Sequence, residues 1–198
     1  TAIRRQRQMC IRDRARMMIN SKVEIKPALS EIEELNIKNV GKLEAFNTDG
    51  LRSLLITMSH IPNMKEKTLR YPGHATLMQS MIDKNLFDKN NFDHTVEKLF
   101  TEWKLKDDEP EFTVLDINIY GDEQHIHYHL YDEMDMFSKS SSMARTTGYT
   151  ATATVNMLLN DVWNKKGVSP PEIVGGDDDC INFILKYLAL RNIKIFRG

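Results

Sequence analysis

The stretch from Leu115 to Leu130 constrains the fold more than any other part of the chain. Leu115, Ile117 and Ile119 alternate with Asp116 and Asn118. Gly121-Asp122-Glu123 forms a turn, and Ile126, Tyr128 and Leu130 then alternate with His125, His127 and His129. Period-two alternation on both sides of a turn predicts an antiparallel hairpin with one apolar face and one wet or interfacial face.

The surrounding sequence places helices and further strands about this hairpin. Val23 to Asn36 mixes short extended stretches with turns, and Ser30 with Glu33 has the spacing of a capping box, which predicts a short helical turn there. Lys42 to Phe46 reads as a strand. Asn47-Thr48-Asp49-Gly50 is turn chemistry ahead of Leu51, Leu54, Leu55 and Met58, whose spacing suits one helix face with Asp49 as its N-cap. Lys67 to Tyr71 is a strand ended by Pro72-Gly73. Ala75 to Lys84 and the group Val96, Leu99, Phe100 and Trp103 follow as amphipathic helices. A long helix is expected over roughly Met143 to Trp163. Pro170-Pro171 should hold a helix-free loop, before a last helix from about Asp179 to Leu190 and a final strand at Ile193 to Phe196. The order is not a strict β-α-β alternation. It predicts an α+β fold with a mixed, largely antiparallel sheet covered by helices.

Composition narrows the functional class. The chain has 198 residues, a formal net charge of −1 and no apolar run long enough to span a bilayer. Residues Arg4 to Arg14 resemble the translation of a transposase-type sequencing adapter, so 1–14 are set aside as an artefact of metagenomic origin and 15–198 are taken as one domain. The competing reading of 1–14 is a basic nucleic-acid arm. Without those residues the net charge falls to −5, which argues against nucleic acid as a partner. Cys10 is lost with them. The remaining Cys180 has no partner cysteine and reads as a buried thiol in a reducing, cytoplasmic setting.

Three blocks carry a resemblance. They are L-E-A-F-N-T-D-G-L at Leu43 to Leu51, E-K-T-L-R-Y-P-G-H at Glu66 to His74, and M-A-R-T-T-G-Y at Met143 to Tyr149. Gly167 to Gly175 extends the third, and P-A-L-S-E at Pro27 to Glu31 precedes the first. In this order they resemble the C-terminal domain of the saccharopine dehydrogenase and lysine 6-dehydrogenase family, over essentially all of Ala15 to Gly198. The wording of the first two blocks is nearer the bacterial lysine 6-dehydrogenase-like branch than the fungal saccharopine reductases.

The resemblance implies a substrate and dimerisation domain that works with a Rossmann NAD(P) domain. It also implies hydride transfer at the CH–NH group of lysine or saccharopine, and a homodimer. No glycines fall in a G-x-G pair, so NAD or NADP is expected to bind mainly to a Rossmann domain outside this sequence. The partners expected are that domain, a small amino-acid substrate and a second copy of the chain, with no nucleic acid and no membrane.

Each candidate residue also has a plain structural reading. Arg70 can hold a substrate carboxylate bidentately, or form an ion pair with Glu44 or Glu66. Arg145, with Thr146 and Thr147, can bind an anion at the start of the long helix, or the segment can simply cap it. Thr48 and Asp49 can meet a substrate ammonium, or initiate a helix. His74 suits proton transfer in amine oxidation, favoured as a neutral base at a helix N-terminus, or it packs as a half-buried ring. Tyr71 and Tyr149 can line a pocket or pack. His125, His127 and His129 can ligate zinc, but the sequence offers no recognisable carboxylate or cysteine to complete a site, and no metal is expected. The other function classes are a non-catalytic dimerisation or interaction module, and a related enzyme making carboxylated polyamines.

Overall fold

The computed structural model describes residues 14–106 and 109–198. The adapter reading, the basic-arm reading and Cys10 concern residues 1–13 and so lie outside the described residues, apart from Arg14. The fold is α+β, as expected. Among the described residues every strand pairing is antiparallel, and the strands fall into three small sheets. The chain divides into two compact units, one up to Lys104 and one from Leu105.

The first unit begins with a hairpin of β1 (Ala15–Ile19) and β2 (Lys22–Lys26). A second sheet has the order β3 (Glu33–Ile37), β4 (Gly41–Asn47) and β5 (Lys67–Arg70). Strand β4 is central and its residues from Leu43 to Asn47 are all buried. Helix α1 (Leu54–Thr57) is a single turn, α2 spans His74–Asp83 and α3 spans Phe92–Glu102. One core joins Met17 and Met18 of β1 to Leu51 and Leu55. A second joins Leu29 and Phe46 to Ala75 and Met78 of α2, with Trp103 against it.

Two local expectations change here, and one strand went unread. Ser30 starts no helical turn: its hydroxyl donates to the Pro27 carbonyl at 2.6 Å and accepts from Asn47 Nδ2 at 3.0 Å, so it pins a loop against β4. Asp49 is not an N-cap, because α1 starts five residues beyond it and Ser53 occupies the cap position. Strand β1 was not legible, since A-R-M-M-I has neither alternation nor helical spacing.

The second unit is built on the expected hairpin, β6 (Phe112–Tyr120) with β7 (His125–Glu133). Its edge strand β8 (Ile195–Arg197) pairs with β7. Helix α4 (Ser142–Leu159) starts at Ser141, whose hydroxyl accepts the Ala144 amide. Helix α6 (Asp178–Ala189) is capped by Asp177, which accepts the Asp179 and Cys180 amides, so the acidic run there serves as a cap. Pro171 does not prevent helix as expected. It is the first residue of α5 (Pro171–Val174), where proline's missing N–H costs nothing. Leu130, Leu188 and Ile193 form one core, and Met157, Trp163 and the buried thiol Cys180 form another.

Candidate functional site

In the first unit two of the sequence blocks lie side by side as β4 and β5, with Glu44 opposite Arg70 and Phe46 opposite Thr68. Polar side chains from both blocks close on one another. The buried Thr48 hydroxyl donates to Glu66 Oε2 at 2.6 Å and shares a hydrogen bond with Thr68 Oγ1 at 2.8 Å. The Gly50 amide donates to the same Glu66 oxygen at 2.9 Å. A side chain at position 50 would overlap the Glu66 carboxylate, so this approach requires glycine.

Asp49 faces the other way, to β1. It accepts from Arg16 Nε at 2.9 Å, Nη2 at 3.0 Å and the backbone amide at 3.2 Å. Those hydrogen bonds outweigh the desolvation that opposes them and hold the Asp49 carboxyl below its ordinary range. Thr48 and Asp49 are therefore committed to ties within the fold. Arg16 was missed by sequence reasoning, because nothing in its neighbourhood links it to a residue 33 positions away.

Glu44 is buried, and its carboxylate receives the amides of Gly73 at 3.0 Å and Ala75 at 2.5 Å. It sits at the N-terminus of α2, where unpaired amides and the helix dipole favour an anion. Gly73 takes a φ of 96°, which suits glycine and sets up the cap. Although Glu44 lies across from Arg70, its carboxylate caps α2. Glu66 likewise serves Thr48 and Gly50.

Arg70 and Tyr71 are exposed at the end of β5, and Arg70 Nη1 donates to the Leu69 carbonyl at 2.7 Å. His74 opens α2, as expected for a helix N-terminus. Its ring lies between Phe46, centroids 6.1 Å apart and nearly parallel, and Trp103, at 5.4 Å. Burial and the neighbouring Arg70 charge lower the His74 pKa, and Glu44 opposes them only in part. The imidazole is neutral around pH 7, next to a guanidinium at an accessible edge. A carboxylate receptor beside a proton acceptor is chemically competent for an amino acid.

In the second unit Arg145 does not present a free guanidinium at the helix start. It forms a fork on Asp132, at 3.1 Å from both Nε and Nη2, and Nη2 also donates to the Arg191 carbonyl at 3.1 Å. Only 11% of the Arg145 side chain and 4% of the Asp132 side chain are exposed, so this is an internal ion pair. Thr146 bonds back to the Ser142 carbonyl, and Thr147 is exposed on the helix. Tyr149 packs beneath the Arg145 and Arg191 guanidiniums, at 5.9 and 5.4 Å. Asp132 was missed, but the signal existed. Alternation along β7 puts it on the Leu130 face, and a carboxylate on a covered face needs a cation.

The family model described as saccharopine dehydrogenase C-terminal domain matches residues 9–193, a span that runs through both units.

Proposed function

The chain belongs to the saccharopine dehydrogenase C-terminal domain family, and we propose that it forms the substrate side of an NAD(P)-dependent oxidoreductase acting on the CH–NH group of lysine or saccharopine. The match across residues 9–193 carries this reading. The residues of this chain do not fit a dinucleotide: the described strands pair only antiparallel, and no G-x-G turn opens a helix for a pyrophosphate. NAD or NADP would be held mainly by a Rossmann domain working with this one, and the nicotinamide would supply the hydride chemistry.

On this side, Arg70 binds the substrate carboxylate and the neutral His74 takes a proton from the substrate amine. Tyr71 flanks them. Thr48 and Asp49 support the fold of the first unit, and Arg145 that of the second, rather than the substrate. The working protein is a cytoplasmic homodimer in this reading.

A second reading, a non-catalytic dimerisation or interaction module, draws support from the same geometry. Glu44, Thr48, Asp49 and Glu66 all have structural work, and Leu115, Ile117 and Ile119 are exposed along one sheet face. An assay of the full-length protein with NAD and NADP against lysine, saccharopine and carboxylated polyamines separates the readings. Reduction of the nicotinamide that depends on lysine or saccharopine is the expected outcome. Turnover with carboxylated polyamines alone would reassign the substrate, and no turnover with any would leave the interaction module.

A further inference from the structure

Three side chains that the proposed chemistry does not use converge on the other face of the β6–β7 hairpin. The register sets Asp116 opposite His129 and Asn118 opposite His127. Strand alternation gives His127 and His129 the same face, and the neighbouring strand supplies the carboxylate that the sequence alone did not reveal. Asp116 Oδ2 lies 2.8 Å from His127 Nε2 and 3.3 Å from His129 Nδ1. One donor atom from each of the three lies within 4.8 Å of the others.

A second layer orients these groups. Asp116 Oδ1 accepts from Asn118 Nδ2 at 2.9 Å, and Asn118 Oδ1 meets His125 Nε2 at 2.9 Å. Tyr120 stacks on His125 at 4.6 Å. Such outer partners fix the direction of ligating groups. His129 Nε2 is buried with no hydrogen-bond partner among the described residues, so Asp116 is the polar group that fixes this ring. Side-chain exposure runs from 12% at His129 through 24% at Asp116 to 37% at His127, which leaves one side open to an incoming ion.

We propose that Asp116, His127 and His129 bind a divalent transition-metal ion, zinc in the first instance, with a water completing the coordination. Zinc ligands at about 2.0–2.2 Å stand roughly 3.3 Å apart in a tetrahedral site, so the two separations to Asp116, 2.8 and 3.3 Å, are close to what an ion requires. Two imidazoles and one carboxylate suit zinc better than calcium or magnesium, which favour all-oxygen sites. The ion ties β6 to β7 near the middle of the hairpin, on the face of β7 opposite Asp132. This assignment is independent of the proposed oxidoreductase activity.

Zinc titration of the untagged 198-residue chain against a chromophoric chelator tests it, with cobalt(II) absorption reporting the coordination. One ion per chain and a four-coordinate cobalt spectrum are expected. Asp116→Asn and His127→Gln should each weaken binding by about tenfold or more, and Asn118→Ala by about tenfold through loss of orientation. His94→Gln, on α3 in the first unit, should leave it unchanged. Far-UV circular dichroism identifies any variant that fails to fold, and the partly exposed His127 makes His127→Gln the variant to rely on. No binding at micromolar zinc, or binding indifferent to both ligand substitutions, would overturn the proposal.

Discussion

Glu44 holds Gly73: a buried carboxylate on β4 accepts the amide that opens α2, at 3.0 Å. Through this contact the first sequence block fixes the start of the helix that carries His74. Replacing Glu44 with alanine strips the Gly73 amide and the buried Ala75 amide of their acceptor. A loss of about 2–3 kcal/mol in urea unfolding is expected, with a smaller loss for Glu44→Gln, which keeps one acceptor oxygen. A change within about 0.5 kcal/mol for Glu44→Ala would show that the cap is idle.

The Arg16–Asp49 pair is half-exposed, so its contribution is modest. Asp49→Asn should cost about 1 kcal/mol, discounted for solvent screening. Asp49 has a lowered folded-state pKa, so its stabilisation is present above the ordinary carboxylate pKa and is lost as pH falls through the folded value. The difference in melting temperature between wild type and Asp49→Asn should therefore shrink in acid and be constant above about pH 5. A difference that widened in acid would contradict the pairing.

Much of the architecture was legible. Alternation marked the β6–β7 hairpin, and spacing found α2, α3 and α6, because these elements bury one face and expose the other. The site was less legible. The blocks L-E-A-F-N-T-D-G-L and E-K-T-L-R-Y-P-G-H drew attention as substrate words, yet Thr48 and Gly50 bind Glu66, and Glu44 binds Gly73. Recurring polar residues can answer the needs of buried amides and hydroxyls as well as those of a ligand. The partner Asp116 depends on strand register across a sheet, and Arg16 on a contact between β1 and the turn after β4; local periodicity encodes neither.

The Arg145–Asp132 pair is enclosed, and breaking it strands a charge. Arg145→Met should destabilise by about 3–5 kcal/mol. Joining it to Asp132→Leu should cost clearly less than the two single changes added together, because the second substitution removes the unpaired charge. Chemical denaturation of the four proteins checks this. Strict additivity would place the two side chains in separate environments.

His74 titrates below its ordinary value, since burial and Arg70 disfavour the imidazolium. If it accepts the amine proton, the acidic limb of kcat/KM in the full-length enzyme should fall below the usual histidine pKa, and His74→Asn should abolish that limb along with most of the rate. Stability follows the same sign. The neutral ring stabilises the fold above its ordinary pKa, and that contribution declines as pH falls through the lowered value. An unaltered pH profile in His74→Asn would confine the ring to packing between Phe46 and Trp103.

The most direct measurement is steady-state kinetics of Arg70→Met in the full-length enzyme, beside Asp49→Asn, with the amino-acid substrate varied. If the exposed Arg70 edge receives the substrate carboxylate, kcat/KM falls by about a hundredfold for Arg70→Met, mainly through KM, while Asp49→Asn changes stability and leaves KM near wild type. An unchanged KM in Arg70→Met, with a raised KM in Asp49→Asn, would contradict this assignment and return the buried turn to the substrate.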